Sequence, residues 1–398
     1  MNILFFAYYG FNPKNGGIDR VCNILTEEFI KLNHKVFFIR KKTGEKENNY
    51  TPLVEEVTLP DPDNVISEKA AEFFTEYVKS KKIDIIICQH TIDHDYISPY
   101  IAKQNTGAKL LYAIHTTPCI YSKQIIDTSC PILKSERYSL SKEWRRMFRI
   151  LFKKQKIRKK DRKMGDFLEK LNDMGDGIVF LSEVYKEVAM RISNIKAPDK
   201  LFAINNPNTY NASEIKREKK ENTILFIGRM EEEKSPEKAL FIWKNIKDKF
   251  PDWNMKLLGC GPLLKEIEEL AKKWKLDRLQ IEGRQDPLPY YTKAKILILV
   301  SDYEGFPMVV PEAMQNGVIP IVFNSFEAAK DIIDDNRTGI LVNSYNLNEF
   351  SEKLTALMSD EKKLMDMSEA ARLSSERYNK SKIALQWIDL FNTLGKTK

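Results

Sequence analysis

The sequence has no long apolar run, although 42% of its 398 residues are hydrophobic. A helix that spans a bilayer needs roughly 20 consecutive apolar residues, and no stretch of the chain approaches that length. The apolar residues 3–9 follow no basic region and precede no cleavage site of small residues, so they predict a first strand rather than a signal peptide. With a mean hydropathy of −0.42, the composition predicts a soluble globular protein.

Cysteine is also scarce. The five cysteines are scattered and include no C-x-x-C pair; they are Cys22, Cys88, Cys119, Cys130 and Cys260. An odd number of scattered cysteines argues against a disulfide scaffold. It predicts reduced core thiols and a cytoplasmic protein.

Histidine is scarcer still, with four residues in the chain. Three of them, His90, His94 and His115, lie just past predicted strands. Catalytic loops gather at the carboxyl ends of parallel strands, so a catalytic role and an ordinary polar-loop role both remain open. Two Asp-x-Asp patterns, at residues 61–63 and 93–95, come without further ligands, and we expect no metal site.

What the sequence does contain is a regular alternation of apolar strands and amphipathic helices. The alternation runs through residues 1–205, pauses in the polar linker 206–222, resumes over 223–378 and ends in a helix within 379–398. Such alternation implies parallel pairing in doubly wound sheets. The length suits two domains of about 150–200 residues each. We predict an α/β protein with two Rossmann-like domains facing a cleft, which is a preferred location for a ligand.

Positive charge is concentrated in residues 134–163. This segment contains 14 Lys/Arg and 3 Asp/Glu, a local charge of +11 in a chain whose net charge is +8. Apolar and aromatic side chains recur at helical spacing over residues 144–152, a pattern typical of a basic helix at a membrane surface. The alternative, that this face packs on the first domain and leaves the charges in water, stays open. No nucleic-acid-binding module accompanies the charge, so we expect no nucleic-acid partner.

Two strand-to-helix turns open the second series. In the first, Gly228, Arg229 and Lys234 follow a strand and precede a helix, where two cations and free N–H groups suit an anion. The alternative is a solvated loop in which the acidic residues 231–233 neutralise the cations. In the second, the turn 259–262 has the sequence Gly-Cys-Gly-Pro, which permits either a tight turn or close approach of a ligand.

A third stretch, residues 297–322, predicts a buried strand, a polar loop, a short helix and another strand. The loop carries Glu304, and Glu312 falls in the first turn of the helix. Carboxylates at the carboxyl end of a parallel strand accept hydroxyl groups of sugars or ribose well. The alternatives are an exposed loop acid for Glu304 and a helix-dipole partner for Glu312.

Together, these motifs resemble those of the retaining, nucleotide-sugar-dependent glycosyltransferases of family four, which have the GT-B fold. The matching residues are Gly228-Arg229…Lys234, Gly259-x-Gly261-Pro262, Glu304-Gly-Phe-Pro…Glu312-Ala-Met…Gly317-x-x-Pro320 and Thr338-Gly339-x-Leu341-Val342. The first half of the chain matches only through Gly16-Gly17, His115 and the strand pattern. Ser235 departs from the resemblance, because glycine is common after the lysine.

The resemblance implies a role for each matching position. Arg229 and Lys234 would hold the donor pyrophosphate, Glu304 the donor-sugar hydroxyls and Glu312 the ribose, while His115 would line the reaction centre. The last helix would cross back onto the first domain. The complete donor-binding set implied is Gly16, Gly17, Gly228, Arg229, Lys234, Gly259, Gly261, Arg284, Glu304, Gly305, Phe306, Pro307, Met308, Val309 and Glu312.

The implied activity is hexosyl transfer with retention, from a nucleoside diphosphate sugar, UDP-sugar favoured, to a hydroxyl group. The implied acceptor is a lipid-linked or surface-polysaccharide or lipopolysaccharide intermediate, reached at the inner face of the membrane, and no metal or cofactor is expected. One alternative is an inactive transferase-like subunit that binds a partner, but the sequence keeps both cations and both glutamates. Another is a GT-B enzyme that is not a transferase, such as a nucleotide-sugar epimerase.

Overall fold

The computed structural model describes residues 1–10, 12–14, 16–42, 50–61, 67–89, 94–119, 153–211, 213, 215 and 218–396. The candidates His90 and Asp93 and the basic residues 134–152 lie outside these ranges. The described chain divides into two compact units. The first comprises Met1–Pro118, Arg162–Thr209 and Tyr378–Lys398, and the second contains Tyr210–Arg377.

The first unit alternates strands and helices from its first residues. Its elements before the final helix are β1 Asn2–Ala7, α1 Gly17–Lys31, β2 Lys35–Arg40, β3 Glu56–Thr58, α2 Glu68–Ser80, β4 Ile85–Cys88, α3 Ile97–Thr106, β5 Lys109–Ile114, α4 Lys153–Met174, β6 Gly177–Phe180, α5 Glu183–Ile192 and β7 Leu201–Ala203. Helix α4 belongs to this unit from Arg162 onward. The strands are apolar on both faces because helices cover both sides of a parallel sheet. In α1, apolar residues at helical spacing pack on β1, and Phe29 stacks on Phe5 with ring centroids 6.1 Å apart.

The second unit repeats the pattern. Its elements are β8 Glu221–Ile227, α6 Pro236–Ile246, β9 Asn254–Leu258, α7 Leu264–Lys273, β10 Leu279–Gly283, α8 Leu288–Tyr291, β11 Ala294–Leu299, α9 Val309–Gln315, β12 Ile319–Phe323, α10 Ala329–Ile332, β13 Ile340–Val342, α11 Leu347–Met358 and α12 Glu361–Ser375. Strand β8 begins two residues before the predicted Thr223, because Glu221 N–H donates to the carbonyl of Lys293 (2.7 Å) and pairs with β11.

The final helix, α13 Lys380–Lys396, belongs to the first unit. Phe391 of this helix meets Phe29 of α1 edge-on, with centroids 5.8 Å apart. The Ser381 hydroxyl donates to Glu28 of α1 at 2.6 Å. An apolar contact and a polar one thus seat the end of the chain on the helix that follows its first strand.

Each unit has one parallel sheet whose strand order reverses once. The orders are β3-β2-β1-β4-β5-β6-β7 and β10-β9-β8-β11-β12-β13. The reversals lie between β1 and β4 and between β8 and β11. Doubly wound sheets bind ligands at the carboxyl ends of the strands at such a reversal. The α/β prediction of two Rossmann-like domains is confirmed. Among the described residues, no helix combines the length and apolarity needed to cross a bilayer.

Candidate functional site

The strand reversal of the second unit brings two predicted loops together. Strands β8 and β11 are parallel neighbours, with Ile224 opposite Ile296 and Leu225 opposite Leu297. The segment 228–235 leaves the end of β8, and the segment 300–308 leaves the end of β11. Because both strands end at the same edge of the sheet, the predicted cations and Glu304 are carried by adjacent loops.

Lys234 and Glu304 form the centre of this arrangement. The ammonium of Lys234 donates to both carboxylate oxygens of Glu304, at 2.7 and 2.8 Å. The Glu304 side chain is only 8% exposed and that of Lys234 is 20% exposed. The alternative that Glu304 is an exposed loop acid is therefore wrong. An ammonium held by charge-assisted bonds and still reached by solvent can face an anion.

Arg229 is placed differently. Its guanidinium is 64% exposed and forms ion pairs with Glu231 (2.7 Å) and Glu233 (2.6 Å). The neutralised-loop alternative thus describes Arg229, whereas Lys234 pairs with the second loop instead. Ion pairs on a protein surface contribute at most about 1 kcal/mol each. Arg229 can therefore exchange its partners for an anionic ligand at low cost.

The glycines of the turn 259–262 are required by the chain itself. Gly259 has φ 145°, and a Cβ there would lie 1.8 Å from the carbonyl oxygen of Gly228. Gly261 has φ 156°, and its Cβ would lie 2.5 Å from the carbonyl oxygen of Met230. The two turns are also joined by backbone bonds from Gly228 N–H to Leu258 and from Met230 N–H to Cys260. The glycines let this turn press against the loop that carries the cations.

Glu312 lies on α9 and is completely buried. The hydroxyl of Tyr291 donates to its carboxylate at 3.1 Å, and its backbone carbonyl accepts from the Asn316 side chain at 2.9 Å. The predicted residues Gly305 to Met308 connect Glu304 to this helix, and Val309 is its first residue. Phe306 and Pro307 are buried in that connection. Glu312 is thus fixed by a buried phenol, in addition to its position in the first turn.

Arg284 lies at the carboxyl edge of the second sheet, after its outermost strand, β10. It follows Gly283, the last residue of β10, and it is exposed. The Gly283 carbonyl accepts from Gly259 N–H at 2.7 Å. Arg284 therefore directly follows the residue that is bonded to the glycine turn.

In the first unit, Gly16 and Gly17 stand at the start of α1. A Cβ built on either residue would have no atom within 4 Å. Gly16 is extended, with φ −174°, a conformation that any residue adopts. Neither crowding nor φ, therefore, explains the glycine at position 16.

His115 follows β5 and donates from Nε2 to the side-chain oxygen of Gln89, which follows β4. Burial lowers the pKa of His115 to about 4, so the ring is neutral at physiological pH. His115 Nδ1 and Gln89 Nε2 are buried without a hydrogen-bond partner among the described residues. The sequence did not single out Gln89, because a glutamine at a strand end carries no distinctive pattern.

The other strand-end candidates of the first unit have structural partners. His94 Nδ1 lies 3.2 Å from the hydroxyl of Tyr96. Asp95 is buried and pairs with Lys41 at 2.9 Å. The described ranges contain no group of three or more His, Cys, Asp or Glu side chains arranged to hold a metal ion.

A second ion pair lies behind Lys234 and Glu304 and was missed by sequence reasoning. Lys238, on the first turn of α6, donates to the carboxylate of Asp302, and both side chains are buried. A lysine in the first turn of an amphipathic helix ordinarily indicates a solvated face. The signal that could have suggested burial is the acid two residues before Glu304.

Glu237, next to Lys238, carries a buried carboxyl group. Burial raises its pKa to about 7. A backbone hydrogen bond and the charge of Lys238 oppose this shift, and the charges of Asp302 and Glu232 add to it more weakly. Because the pKa is raised in the folded state, this group stabilises the fold fully below its ordinary pKa near 4.5. The contribution is lost as the pH rises through 7.

Replacing Glu237 with glutamine is therefore expected to stabilise the protein at pH 8 relative to wild type, by on the order of 2 kcal/mol. At pH 4.5 to 5 most of that advantage should vanish, because the wild-type carboxyl is then protonated. Thermal denaturation at pH 5 and pH 8 measures the difference. Glu269→Gln, at an exposed carboxylate of α7, is the control and should show no such pH dependence. An equal effect of Glu237→Gln at both pH values would contradict the assignment.

The family model described as glycosyl transferases group 1 matches residues 209–374. An uncharacterized glycosyltransferase of Haemophilus influenzae is 31% identical over 222 residues, which are 53% of this chain and 60% of the relative. A Campylobacter jejuni alpha-1,4-N-acetyl-D-galactosaminyltransferase, whose named acceptor is a GalNAc-GalNAc-diNAcBac-PP-undecaprenol, is 30% identical over 43% of this chain and 48% of the relative. The chain thus spans about half to three fifths of these curated relatives.

Among solved structures, Anabaena HepE in complex with UDP superposes with a TM-score of 0.72 at 15% identity. The superposition covers 99% of this chain and 100% of HepE. At that identity the likeness establishes the fold alone, and it confirms the predicted GT-B architecture. The family match falls on the unit that contains Lys234, Glu304 and Glu312. Residues 209–374 therefore match the group 1 glycosyltransferase family, in a chain that has the GT-B fold.

Proposed function

We propose that the chain is a retaining glycosyltransferase of family four. It would transfer a sugar from a nucleoside diphosphate sugar, with UDP as the favoured nucleotide, to a hydroxyl group of a lipid-linked or surface-polysaccharide intermediate. The observation that carries the proposal is the Lys234–Glu304 pair. It joins a cation and a hydroxyl-accepting carboxylate at the strand reversal of the unit that matches the group 1 family.

In this reaction the bond between the anomeric carbon and the diphosphate oxygen breaks. A new bond forms to the acceptor oxygen on the same face of the sugar, and the acceptor proton leaves with the diphosphate. Negative charge grows on the departing diphosphate, so cations placed there in advance lower the barrier. Lys234 and Arg229 supply that charge in the proposal, and it requires neither a metal ion nor a protein nucleophile.

The remaining residues bind rather than react. Glu304 accepts hydrogen bonds from donor-sugar hydroxyls while its other bonds hold Lys234. Glu312 accepts the ribose hydroxyls beside its bond from Tyr291. For Gly16 and Gly17 of the first unit, the proposal keeps the role that the resemblance implies, which is to leave room for the phosphates. His115 acts as a neutral hydrogen-bonding group, in keeping with its lowered pKa.

Two observations support a lipid-linked acceptor: the acceptor named for a relative, and the basic side chains of helix α4. The named acceptor of the Campylobacter jejuni relative is linked to undecaprenol. In this chain, α4 buries its later residues Leu168 and Leu171, whereas its earlier turns expose basic side chains: Lys156, Arg158, Lys159, Arg162 and Lys163. An exposed basic helix end is attracted to anionic lipid. We propose that it holds the enzyme at the cytoplasmic face of a membrane.

A panel of nucleoside diphosphate sugars tests the activity. Donor hydrolysis without acceptor, and stabilisation of the fold against heat, are expected for at least one UDP-sugar. Failure of every donor at millimolar concentration would contradict the donor site, and epimerised donor as the only product would favour the non-transferase alternative.

Membrane binding is tested separately, by sedimentation of the protein with lipid vesicles. Reversing Lys156, Arg158 and Lys159 to glutamate should abolish binding to anionic vesicles. The control reverses three exposed lysines on other helices, Lys272, Lys362 and Lys382, and thus makes the same change in net charge. If both variants lose binding equally, α4 is not the docking element.

A further inference from the structure

The pair Lys238–Asp302 is buried and almost closed off from solvent. Both side chains are at most 6% exposed. The ammonium of Lys238 also lies over two rings, 5.2 Å from the centroid of Tyr345 and 6.0 Å from that of Phe323. Any effect of this pair on the site must therefore act through the residues around it.

All three polar groups of Asp302 are fixed. Its N–H donates to the carbonyl of Glu233 at 2.8 Å. Its carbonyl accepts from the hydroxyl of Tyr345 at 3.1 Å, and its carboxylate is held by Lys238. The residue before it is anchored as well, since Ser325 donates to the Ser301 carbonyl at 2.7 Å.

The hydrogen bonds of Asp302 connect the two loops that carry the proposed donor site, segments 228–235 and 300–308. Glu233, which accepts from Asp302, is followed directly by Lys234. Asp302 itself lies two residues before Glu304. The ion pair between Lys234 and Glu304 is therefore the next link in a chain of contacts that begins with the buried pair. Displacement of Asp302 would move Glu304 relative to Lys234.

Stability alone gives little reason for such a pair. Removing two charges from water offsets much of their attraction, and well-packed apolar replacements of buried pairs are often neutral or stabilising. The setting here is apolar on two sides, with Phe323 and Tyr345, and would accept a methionine. An ion pair differs from an apolar contact in having a defined direction and length, and that property orients a loop.

We propose that Lys238 and Asp302 are positioning residues, which hold segment 301–305 so that Glu304 faces Lys234 before a donor arrives. The inference rests on the proposed function for its catalytic consequence. Its structural half, the anchoring of the loop, is independent of turnover. A shift of about 1 Å in a positioned group can cost on the order of 100-fold in rate.

The test compares Lys238→Met, Asp302→Asn and the double variant. Either single change leaves a buried partner unmatched and is expected to lower the thermal midpoint. The double variant removes both charges and should recover most of that loss. Its loop should nevertheless lose the anchor at the side chain of residue 302, so amide hydrogen exchange over residues 301–306 is expected to rise at least about ten-fold.

Turnover supplies the second readout. In the double variant, kcat for hydrolysis of the UDP-sugar turned over by wild type should fall at least about ten-fold, with UDP affinity within about three-fold of wild type. The control removes an exposed ion pair of the same unit, Arg337→Met with Asp334→Asn, whose side chains are 66% and 55% exposed and lie between α10 and β13. It should change neither exchange over 301–306 nor kcat.

A double variant with wild-type exchange and wild-type kcat would overturn the inference and leave the pair a structural one. Should the wild-type enzyme turn over no nucleotide sugar, the proposed function fails, and the exchange measurement alone decides the anchoring: raised exchange supports it and unchanged exchange refutes it.

Discussion

Replacing Lys234 with methionine is expected to lower kcat/KM for sugar transfer by roughly 100- to 1,000-fold, the cost of removing one preorganised group that stabilises charge in a transition state. Methionine keeps much of the side-chain volume and removes the charge that would meet the departing diphosphate. The measurement is a steady-state assay with the donor identified in the panel.

Two variants distinguish a charge effect from damage to the fold. Lys234→Met leaves the Glu304 carboxylate without this cation, and breaking a partly buried pair is destabilising. The double variant with Glu304→Gln removes the unmatched charge and should regain thermal stability without regaining activity. Arg229→Met should cost less stability, because its guanidinium is 64% exposed and its ion pairs lie at the surface. Full activity in a stable Lys234 variant would contradict the proposed donor site.

The placement of the site followed from the strand pattern. Runs such as residues 294–299 are apolar on both faces, which predicts parallel strands, and the carboxyl ends of parallel strands gather at one edge. That argument brings Lys234 and Glu304 to the same edge without knowledge of either rotamer. It does not give the partner of each charge. The sequence left Arg229, Lys234 and the acids 231–233 in one group, and only side-chain directions separate them.

Buried polar partners were harder to predict. Lys238 and Asp302 are 64 positions apart and belong to a helix and a loop whose periodicity concerns apolar residues only. Gln89 and His115 meet because β4 and β5 are neighbours, and glutamine carries no motif. Contacts of this type depend on register and rotamer, which a hydrophobic pattern does not encode.

Ser235 shows what the resemblance contributed. It marks a position where glycine is common, and the structure supplies the reason: Ser235 has φ 50°, in the left-handed region that favours glycine. The serine hydroxyl donates to the Glu232 carbonyl at 3.0 Å. That bond offsets part of the backbone strain and holds the turn that presents Lys234.

The glycine turn allows the second large effect to be predicted. Gly259→Ala should destabilise the second unit by about 3 kcal/mol or more, since strained φ and steric overlap add. The new methyl group would lie 1.8 Å from the Gly228 carbonyl oxygen, at φ 145°. The neighbour is backbone, so it cannot turn aside as a side chain would. For a unit of this size the thermal midpoint should fall by roughly 6–12 °C, as measured by calorimetry.

Gly16→Ala is the matched control, because the same methyl group there meets no atom within 4 Å and the backbone is extended. Its thermal midpoint should equal that of wild type. If Gly16 leaves room for the donor phosphates, however, this stable variant should lose donor affinity. The two alanines thus separate two reasons for a glycine. At position 259 the chain itself occupies the space, and at position 16 the proposed ligand does. Unchanged donor binding in Gly16→Ala would remove Gly16 from the proposed site, and an unchanged midpoint in Gly259→Ala would show that the two turns can move apart.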